Sequence, residues 1–191
     1  MRLLRTLLGY ENECIPNVAF RTFSLFASIR DVLAPVGHRL DGFGIKKGSI
    51  VVDFGCGPGS YIEWASRTVG ATGKVYAIDV HPLAIKSVKA KIRKKNLNNV
   101  IPVFSTGYPV DILSQSADVI YALDMFHHVK DGGGFLRELH RLLKPGGTLL
   151  IERGHQSLND AREKIMKSGC WNIVREDRNL FECRIKDQDR A

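Results

Sequence analysis

The sequence predicts an α/β protein with a doubly wound sheet, preceded by an N-terminal helical extension. Three observations lead to this fold class. Short β-branched or apolar runs alternate with longer amphipathic stretches, the runs lack the polar alternation of half-exposed strands, and the first run ends in a glycine-rich turn. Such runs suit strands that helices cover on both faces, as right-handed βαβ crossovers require.

The elements follow in chain order. Five strands are predicted at 49–54, 74–80, 99–104, 117–123 and 147–152. Helices are predicted at 61–69, 83–95 and 133–143. The last of these helices carries one apolar stripe, formed by Phe135, Leu136, Leu139, Leu142 and Leu143. The segment "KPGG" (144–147) has the residue types of a helix stop and a turn before the fifth strand.

The C-terminal tail predicts one more helix and two more strands. The helix covers 158–167, and the strands are "WNIVRED" and "NLFECRIK". A short polar turn at 177–179 joins the two strands, so they must be antiparallel neighbours.

Length and hydropathy limit the organisation of the chain. With 191 residues, 44% of them hydrophobic, the chain can bury one full core but not two. We divide it into a helical extension or lid at 1–45 and a ligand-binding domain at 46–191. No apolar run approaches the ~20 residues of a membrane span, and "MRLLRTLLGY" lacks the features of a signal peptide. We therefore expect a soluble, cytoplasmic protein.

The net charge of +8 is concentrated in one segment. Between Val80 and Val110 there are six Lys or Arg residues and no acid, all six of them within Lys86–Lys95. Ile85 and Val88 give this predicted helix an apolar side, so its basic side is expected to face water. Binding to nucleic acid or to an anionic membrane surface is the alternative.

Ligands of open α/β sheets bind beyond the carboxyl ends of the strands, which points to "VVDFGCGPGS" (51–60). A dinucleotide loop needs G-x-G-x-x-G, whereas here the glycines are Gly55, Gly57 and Gly59, followed by Ser60. Asp53 would repel a pyrophosphate. The ammonium and carboxylate of S-adenosylmethionine (SAM) fit better, the cation toward Asp53 and the carboxylate toward the glycine amides.

A second acid, Asp79, ends the second predicted strand. Its two oxygens can accept hydrogen bonds from both hydroxyls of a ribose. Cys56, inside the glycine loop, is interpreted only as a small residue that suits a tight turn.

The order of "VVDFGCGPG", "VYAIDV", "ADVIYALDMFHHVKD", "LLKPGGTLLIE" and the terminal "SGCWNIV" and "LFECRIK" resembles the class I SAM-dependent methyltransferases. Within them it is similar to the group of ubiquinone/menaquinone-biosynthesis C-methyltransferases and arsenite methyltransferases. The resemblance covers roughly residues 45–186. It implies a Rossmann-like, seven-stranded sheet in the order 3-2-1-4-5-7-6 with strand 7 antiparallel, SAM as the cofactor, and methyl transfer as the activity.

The resemblance carries SAM binding onto the two aspartates and three glycines named above. We extend the predicted cofactor site to neighbouring residues, namely Cys56, Val80, Thr106, Gly107 and Leu123. One departure concerns adenine. Many relatives place an acid after the third strand for the adenine amino group, whereas "FSTGYPV" offers only Thr106 or a backbone carbonyl near Gly107.

Methyl transfer from a sulfonium needs no acid for the leaving group, and a base is required only if the acceptor must lose a proton. The candidate catalytic residues follow the fourth strand: Asp124, His127 and His128. Packing at the start of a helix is the alternative for the two histidines. Glu152 and His155, after the fifth strand, form a weaker pair at the same rim.

Acceptor recognition falls to residues 1–45, because no cap is inserted after the fifth strand. A near-helical stripe is formed by Val18, Ala19, Phe23, Phe26, Ile29 and Leu33, with Phe20 and Leu25 off it. One face of this helix is expected to pack on the sheet domain and another to close over SAM, with packing alone as the alternative. An apolar lid suggests a small hydrophobic or lipid-like acceptor and allows contact with a membrane surface.

Other functions stay open. An arsenite methyltransferase would need converging thiolates from Cys14, Cys170 and Cys183, and a nucleic-acid methyltransferase would use the basic Lys86–Lys95 helix. A non-catalytic SAM-binding protein is a third alternative. The four cysteines show no CxxC spacing, so we predict neither a disulfide framework nor a metal site.

Overall fold

The computed structural model describes residues 14–34 and 36–186. The expectations for 1–13, including the absence of a signal peptide, and for 187–191 lie outside the described residues. Helix α1 (Asn17–Leu33) and a 3-10 helix (Val36–Leu40) precede the sheet. None of the helices in the described ranges has the length and hydropathy needed to cross a bilayer.

Within the described residues, seven strands, four more α-helices and a second 3-10 helix (Phe126–His128) follow. The strands are β1 (Ile50–Phe54), β2 (Lys74–Asp79), β3 (Val100–Phe104), β4 (Ala117–Ala122), β5 (Leu143–Glu152), β6 (Trp171–Glu176) and β7 (Leu180–Ile185). The helices are α2 (Ile62–Val69), α3 (Pro82–Lys95), α4 (Gly132–Leu142) and α5 (Leu158–Lys167). The strand order is β3-β2-β1-β4-β5-β7-β6. Strand β7 is antiparallel to β5 and β6, which confirms the predicted fold class.

The sheet separates two apolar layers. Neighbouring residues of β1 point to opposite sides: Val51 packs with residues of α2 and α3, and Val52 with residues of α4 and α5. Both are fully buried. The predicted stripe on α4 is also fully buried, because that helix covers the second layer.

The "KPGG" segment differs from its prediction. Strand β5 begins at Leu143, directly after α4, instead of after a turn. Its pairing with β4 is irregular, since Leu143 opposes Ala117 and the next paired residue is Thr148. Gly146, with φ +78°, takes up the irregularity, because glycine adopts positive φ without steric cost. The extra residues extend the strand as a bulge.

The apolar stripe predicted on α1 does not face the protein interior. Phe20, predicted to lie off the stripe, is 4% exposed, and so is Ala27. The large side chains left exposed on this helix are Val18, Phe23, Leu25, Phe26, Ile29 and Leu33. Phe20 points inward, where its ring stacks on the ring of His81, just after β2.

Candidate active site

A cavity of about 770 Å³ opens beyond the carboxyl ends of β1, β2, β4 and β5. The strand order reverses between β1 and β4, which is where open α/β sheets bind ligands. The glycine loop after β1 forms part of the wall. One face of α1 lines the cavity, through Ala19, Phe20, Phe23, Phe26 and Arg30.

The cavity brings together all of the predicted site residues except Gly59, and also Glu152 and His155. Gly59 does not line the cavity. An added Cβ there would come within 3.0 Å of Ile62 Cδ1 and 3.2 Å of Val88 Cγ2. This glycine therefore allows the loop to pack closely against α2 and α3.

Asp53 lies at the end of β1 and is 2% exposed. Its Oδ2 atom and the hydroxyl of neighbouring Tyr121 make no hydrogen bond of normal geometry among the described residues, although the hydroxyl is close enough to stabilise the charged form of Asp53. Burial raises the pKa of Asp53 from 3.8 to about 8, although Tyr121 and Lys91 act in the opposite direction. A buried carboxyl group with an unused oxygen in a cavity wall is suited to a cationic ligand.

The amides of the glycine loop are not available in the way predicted. The N–H groups of Gly55 and Cys56 both donate to the Ile78 carbonyl, at 2.9 Å. The N–H of Gly57 donates to Asp79 Oδ2 at 2.8 Å, and that of Gly59 to the Cys56 carbonyl at 2.9 Å. The loop uses these amides to hold its own shape, so this arrangement gives no support to the prediction that they bind a carboxylate.

Asp79 holds the glycine loop as well as facing the cavity. Its Oδ2 accepts the Gly57 N–H, and its Oδ1 accepts the His81 N–H at 2.8 Å. Each carboxylate oxygen keeps a second lone pair for a ligand hydroxyl. Burial raises the pKa of Asp79, and the two backbone hydrogen bonds counteract that rise.

His81 is a site residue that the sequence analysis missed. Its Nδ1 accepts the Leu83 N–H at 3.1 Å, which caps α3. The proton of the neutral ring is therefore on Nε2, which donates to the Ile15 carbonyl at 3.1 Å. The ring also stacks on Phe20. Its position directly after β2 was a usable signal, but its contacts with the N-terminal segment were not.

The predicted catalytic residues gather at the rim of the cavity with His155. Asp124 has φ +53°. His155 Nε2 lies 3.9 Å from Asp124 Oδ1, and the rings of His127 and His128 are 4.0 Å apart. Burial, with His128 and His155 nearby, lowers the pKa of His127 from 6.5 to about 4. Burial also lowers the pKa of His128. Neutral imidazoles beside a carboxylate can accept a proton or bind a metal ion.

A second feature that sequence reasoning missed is a polar network on the cavity wall. Arg39 donates through Nη1 to the Tyr61 hydroxyl at 2.8 Å and through Nη2 to Glu152 Oε1 at 2.5 Å. Burial alone would lower the pKa of Arg39, but Tyr61 and Glu152 raise it on balance. Tyr61 follows the glycine loop and could have been identified. Arg39 lies on no strand end and could not.

The segment after β3 carries the residues expected near adenine. Ser105, Thr106 and Gly107 line the cavity, together with Tyr108. The Gly107 carbonyl already accepts a hydrogen bond from Ser105 Oγ at 2.7 Å. Tyr108 packs near Phe54, with ring centroids 6.3 Å apart. This wall therefore offers an aromatic ring and a threonine hydroxyl.

The residues on which the alternative functions depend, the basic helix and the cysteines, lie mostly outside the cavity. The basic face of α3 borders a separate groove of about 400 Å³, lined by Pro82, Ile85, Lys86, Lys89, Arg93 and Phe104. Among the described residues, this groove and the cavity have no lining residue in common. Of the four cysteines, Cys56 alone lines the cavity. Burial raises the pKa of the Cys183 thiol to about 12.

Comparisons with known proteins agree with this geometry. A family model described as "Methyltransferase domain" matches residues 52–151. The chain is 26% identical over 171 residues to a ubiquinone/menaquinone biosynthesis C-methyltransferase of Pasteurella multocida, covering 86% of this chain and 64% of that protein. An Escherichia coli protein of the same name is 29% identical over 146 residues, covering 73% and 58%. The chain thus spans about three fifths of these relatives.

Solved structures share the fold. A SAM-dependent methyltransferase of Aquifex aeolicus superposes with a TM-score of 0.67 at 27% identity, covering 82% of this chain and 95% of that one. A second structure, from Methanococcus maripaludis, is described as a putative SAM-dependent methyltransferase. It superposes with a TM-score of 0.72 at 18% identity, covering 94% and 96%.

Proposed function

This chain belongs to the methyltransferase-domain family, and on that premise we propose that it transfers a methyl group from SAM to a small acceptor with a large apolar part. The observation that carries the proposal is the buried Asp53 at the end of β1, which lines a cavity at the switch in strand order and has one carboxyl oxygen, Oδ2, without a hydrogen-bond partner among the described residues. Bound SAM supplies an electrophilic methyl group on a sulfonium centre. The residues present fit this cofactor.

Asp53 and Asp79 have separate parts in this proposal. Asp53 receives the ammonium group of the amino-acid end, because its Oδ2 is the buried acceptor without a partner within the described chain. Asp79 receives the ribose hydroxyls on the lone pairs that Gly57 and His81 leave.

Arg30 is our candidate for the carboxylate end of the cofactor. The glycine amides are engaged, so another donor is required. Arg30 reaches the cavity from α1, and its Nη2 donates to Ser60 Oγ at 3.1 Å at the end of the glycine loop. Arg30 also donates through Nε and Nη2 to Asp31 Oδ1, so the N–H donors of its Nη1 atom remain for a ligand carboxylate.

The rim supplies proton acceptors where the acceptor molecule needs them. Asp124, His127 and His128 line the cavity, and both histidines have lowered pKa values. Both imidazoles are therefore neutral at pH 7 and can accept a proton, while the lowered pKa also makes each of them a weaker base. If the acceptor atom carries no acidic proton, orientation inside a covered cavity accounts for most of the catalysis.

An apolar acceptor is supported by the covering helix. Phe20, Phe23 and Phe26 line the cavity from α1. Leu25 and Ile29 extend this apolar surface onto the exposed side of the same helix. An acceptor with a polar ring and an apolar chain fits such a site, with the ring near the rim and the chain along α1. The relatives named for quinone biosynthesis point to a ring of that kind.

The cofactor assignment is tested by calorimetric titration of the purified protein with SAM, S-adenosylhomocysteine and NAD. Binding of both sulfur nucleosides but not of NAD is the expected result. Binding of NAD, or of none of the three, would overturn it. Binding without turnover across a panel of acceptors would indicate the non-catalytic alternative.

The acceptor assignment is tested by comparing a hydroxylated aromatic ring with and without a prenyl chain. We expect a higher kcat/KM for the prenylated ring. Phe26→Ala should reduce that preference, whereas the control Leu113→Ala, an exposed leucine outside the cavity, should leave it unchanged. Equal turnover of both rings would contradict an apolar acceptor.

A further inference from the structure

Three side chains of the kind that bind metal ions converge at the rim of the cavity. Asp124 follows β4, His127 lies in the 3-10 helix just after it, and His155 follows β5. One ligand atom from each lies within 4.8 Å of the other two. Strands β4 and β5 are parallel neighbours, so their carboxyl ends bring the two loops together.

The spacing of the three groups is wide for direct hydrogen bonds and close to that of a coordination sphere. The distance of 3.9 Å between His155 Nε2 and Asp124 Oδ1 exceeds a normal hydrogen bond. Ligands about 2.1 Å from a common ion in tetrahedral or octahedral arrangement lie roughly 3.0–3.4 Å apart. The three atoms therefore need to approach one another by only about 0.5–1.8 Å.

Burial does not hold two of the three side chains in place. The side chains of Asp124 and His155 are 56% and 66% exposed. His127 is held more firmly, yet neither of its ring nitrogens has a hydrogen-bond partner in the described part of the chain. Gly154 leaves room for this ring, because a Cβ there would lie 2.0 Å from His127 Nδ1.

We infer that Asp124, His127 and His155 bind a divalent transition-metal ion at the mouth of the cavity. Two imidazoles and one carboxylate favour such an ion over Mg²⁺ or Ca²⁺, which take oxygen ligands. Three protein ligands leave at least one coordination position open. If the proposed methyl transfer is correct, that position is available to an oxygen or nitrogen atom of the acceptor, and His128 is then the proton acceptor at the rim, because Asp124 and His127 are metal ligands.

The test is calorimetric titration of tag-free, chelator-treated protein with Zn²⁺ alone, without SAM or acceptor. We expect one ion per chain. His155→Ala and Asp124→Asn should each weaken binding by at least about tenfold, the loss that even outer-sphere changes cause. Asparagine tolerates the positive φ at this position, so Asp124→Asn is expected to fold. His38→Ala, an exposed histidine outside the cavity, is the matched control.

Titration with Co²⁺ identifies the ligand type. Visible ligand-field bands that disappear in His155→Ala support the site. An intense thiolate charge-transfer band, or Zn²⁺ binding that is equal in wild type and variants, would overturn it. No Zn²⁺ binding by the wild type would do the same, and would leave the methyltransferase proposal intact because SAM binding is measured separately.

Discussion

The imidazole of His81 stacks on the ring of Phe20, with centroids 4.3 Å apart and an interplanar angle of 22°. Through this contact and the hydrogen bond from His81 to the Ile15 carbonyl, the end of β2 holds α1 over the cavity. The same histidine accepts a backbone hydrogen bond at the start of α3 and follows Asp79 closely in the chain. The position of the covering helix is thus linked to the proposed ribose site.

Phe20→Ala should release α1 from the cavity. Removing a buried phenyl ring costs about 3–5 kcal/mol, enough to loosen a helix that packs through few buried residues. We expect SAM affinity to fall at least tenfold and hydrogen exchange to accelerate in residues 17–33. Leu25→Ala, on the exposed side of the same helix, is the control. Unchanged exchange in the Phe20 variant would show that other contacts hold the helix.

SAM binding should release a proton from Asp53. Its raised pKa of about 8 means that the carboxyl is mostly neutral in the free protein at pH 7. A bound ammonium group stabilises the charged form, so affinity should rise with pH up to about 8 and then level off. Calorimetry in buffers of different ionisation enthalpy measures the released proton.

The raised pKa of Asp53 also makes the stability of the free protein depend on pH. Because the folded-state pKa of Asp53 lies above its unfolded value of 3.8, its contribution to stability is complete below pH 3.8 and is lost as pH rises toward 8. Asp53→Asn should remove both the proton release and this part of the stability profile. Proton release that persists in Asp53→Asn would assign it to another group.

Asp79→Ala should weaken SAM binding by about 1–3 kcal/mol, the cost of leaving buried hydrogen bonds unmade. The melting temperature should also fall, because Gly57 and His81 lose their acceptor. Asp111→Ala, at an exposed aspartate outside the cavity, is the control for a general charge effect. Unchanged affinity would remove Asp79 from the cofactor site.

Gly55→Ala should be more disruptive than Gly42→Ala. Both glycines have positive φ, +79° and +86°, so alanine is strained at either position by roughly 1–2 kcal/mol. Only at Gly55 does the new Cβ also collide, 2.7 Å from Met125 Cγ, whereas nothing lies within 4 Å at Gly42. Thermal unfolding with and without SAM measures the difference. Equal losses would mean that Met125 moves aside freely.

The sequence was sufficient to predict the site residues whose position follows from one rule of sheet geometry. Parallel strands bring their carboxyl ends to one edge, so Asp53, Asp79 and the residues after β4 could be placed together before the structure was known. The strand order came instead from the resemblance to a family. The strand order and the placement of these residues both agree with the structure. The placement succeeded because these residues follow their strands closely in the chain.

The remaining features depend on contacts that no local pattern encodes. Arg39 meets Glu152 across 113 positions of the chain. Periodicity identified an apolar face on α1 but not the contact that Phe20, off that face, makes with His81. The glycine spacing indicated a ligand loop, but it did not reveal that Ile78 and Asp79 take the amide hydrogens.

If the proposed methyl transfer is correct, the position of α1 at the cavity sets the order in which the two substrates bind. Asp53 is buried, whereas Asp124 and His155 are exposed at the rim. Phe23 lies across the glycine loop, 3.7 Å from where a Cβ of Gly57 would be. The nucleoside therefore has to enter first and leave last. Steady-state kinetics should follow a compulsory-order sequential scheme, in which S-adenosylhomocysteine competes with SAM and is noncompetitive toward the acceptor.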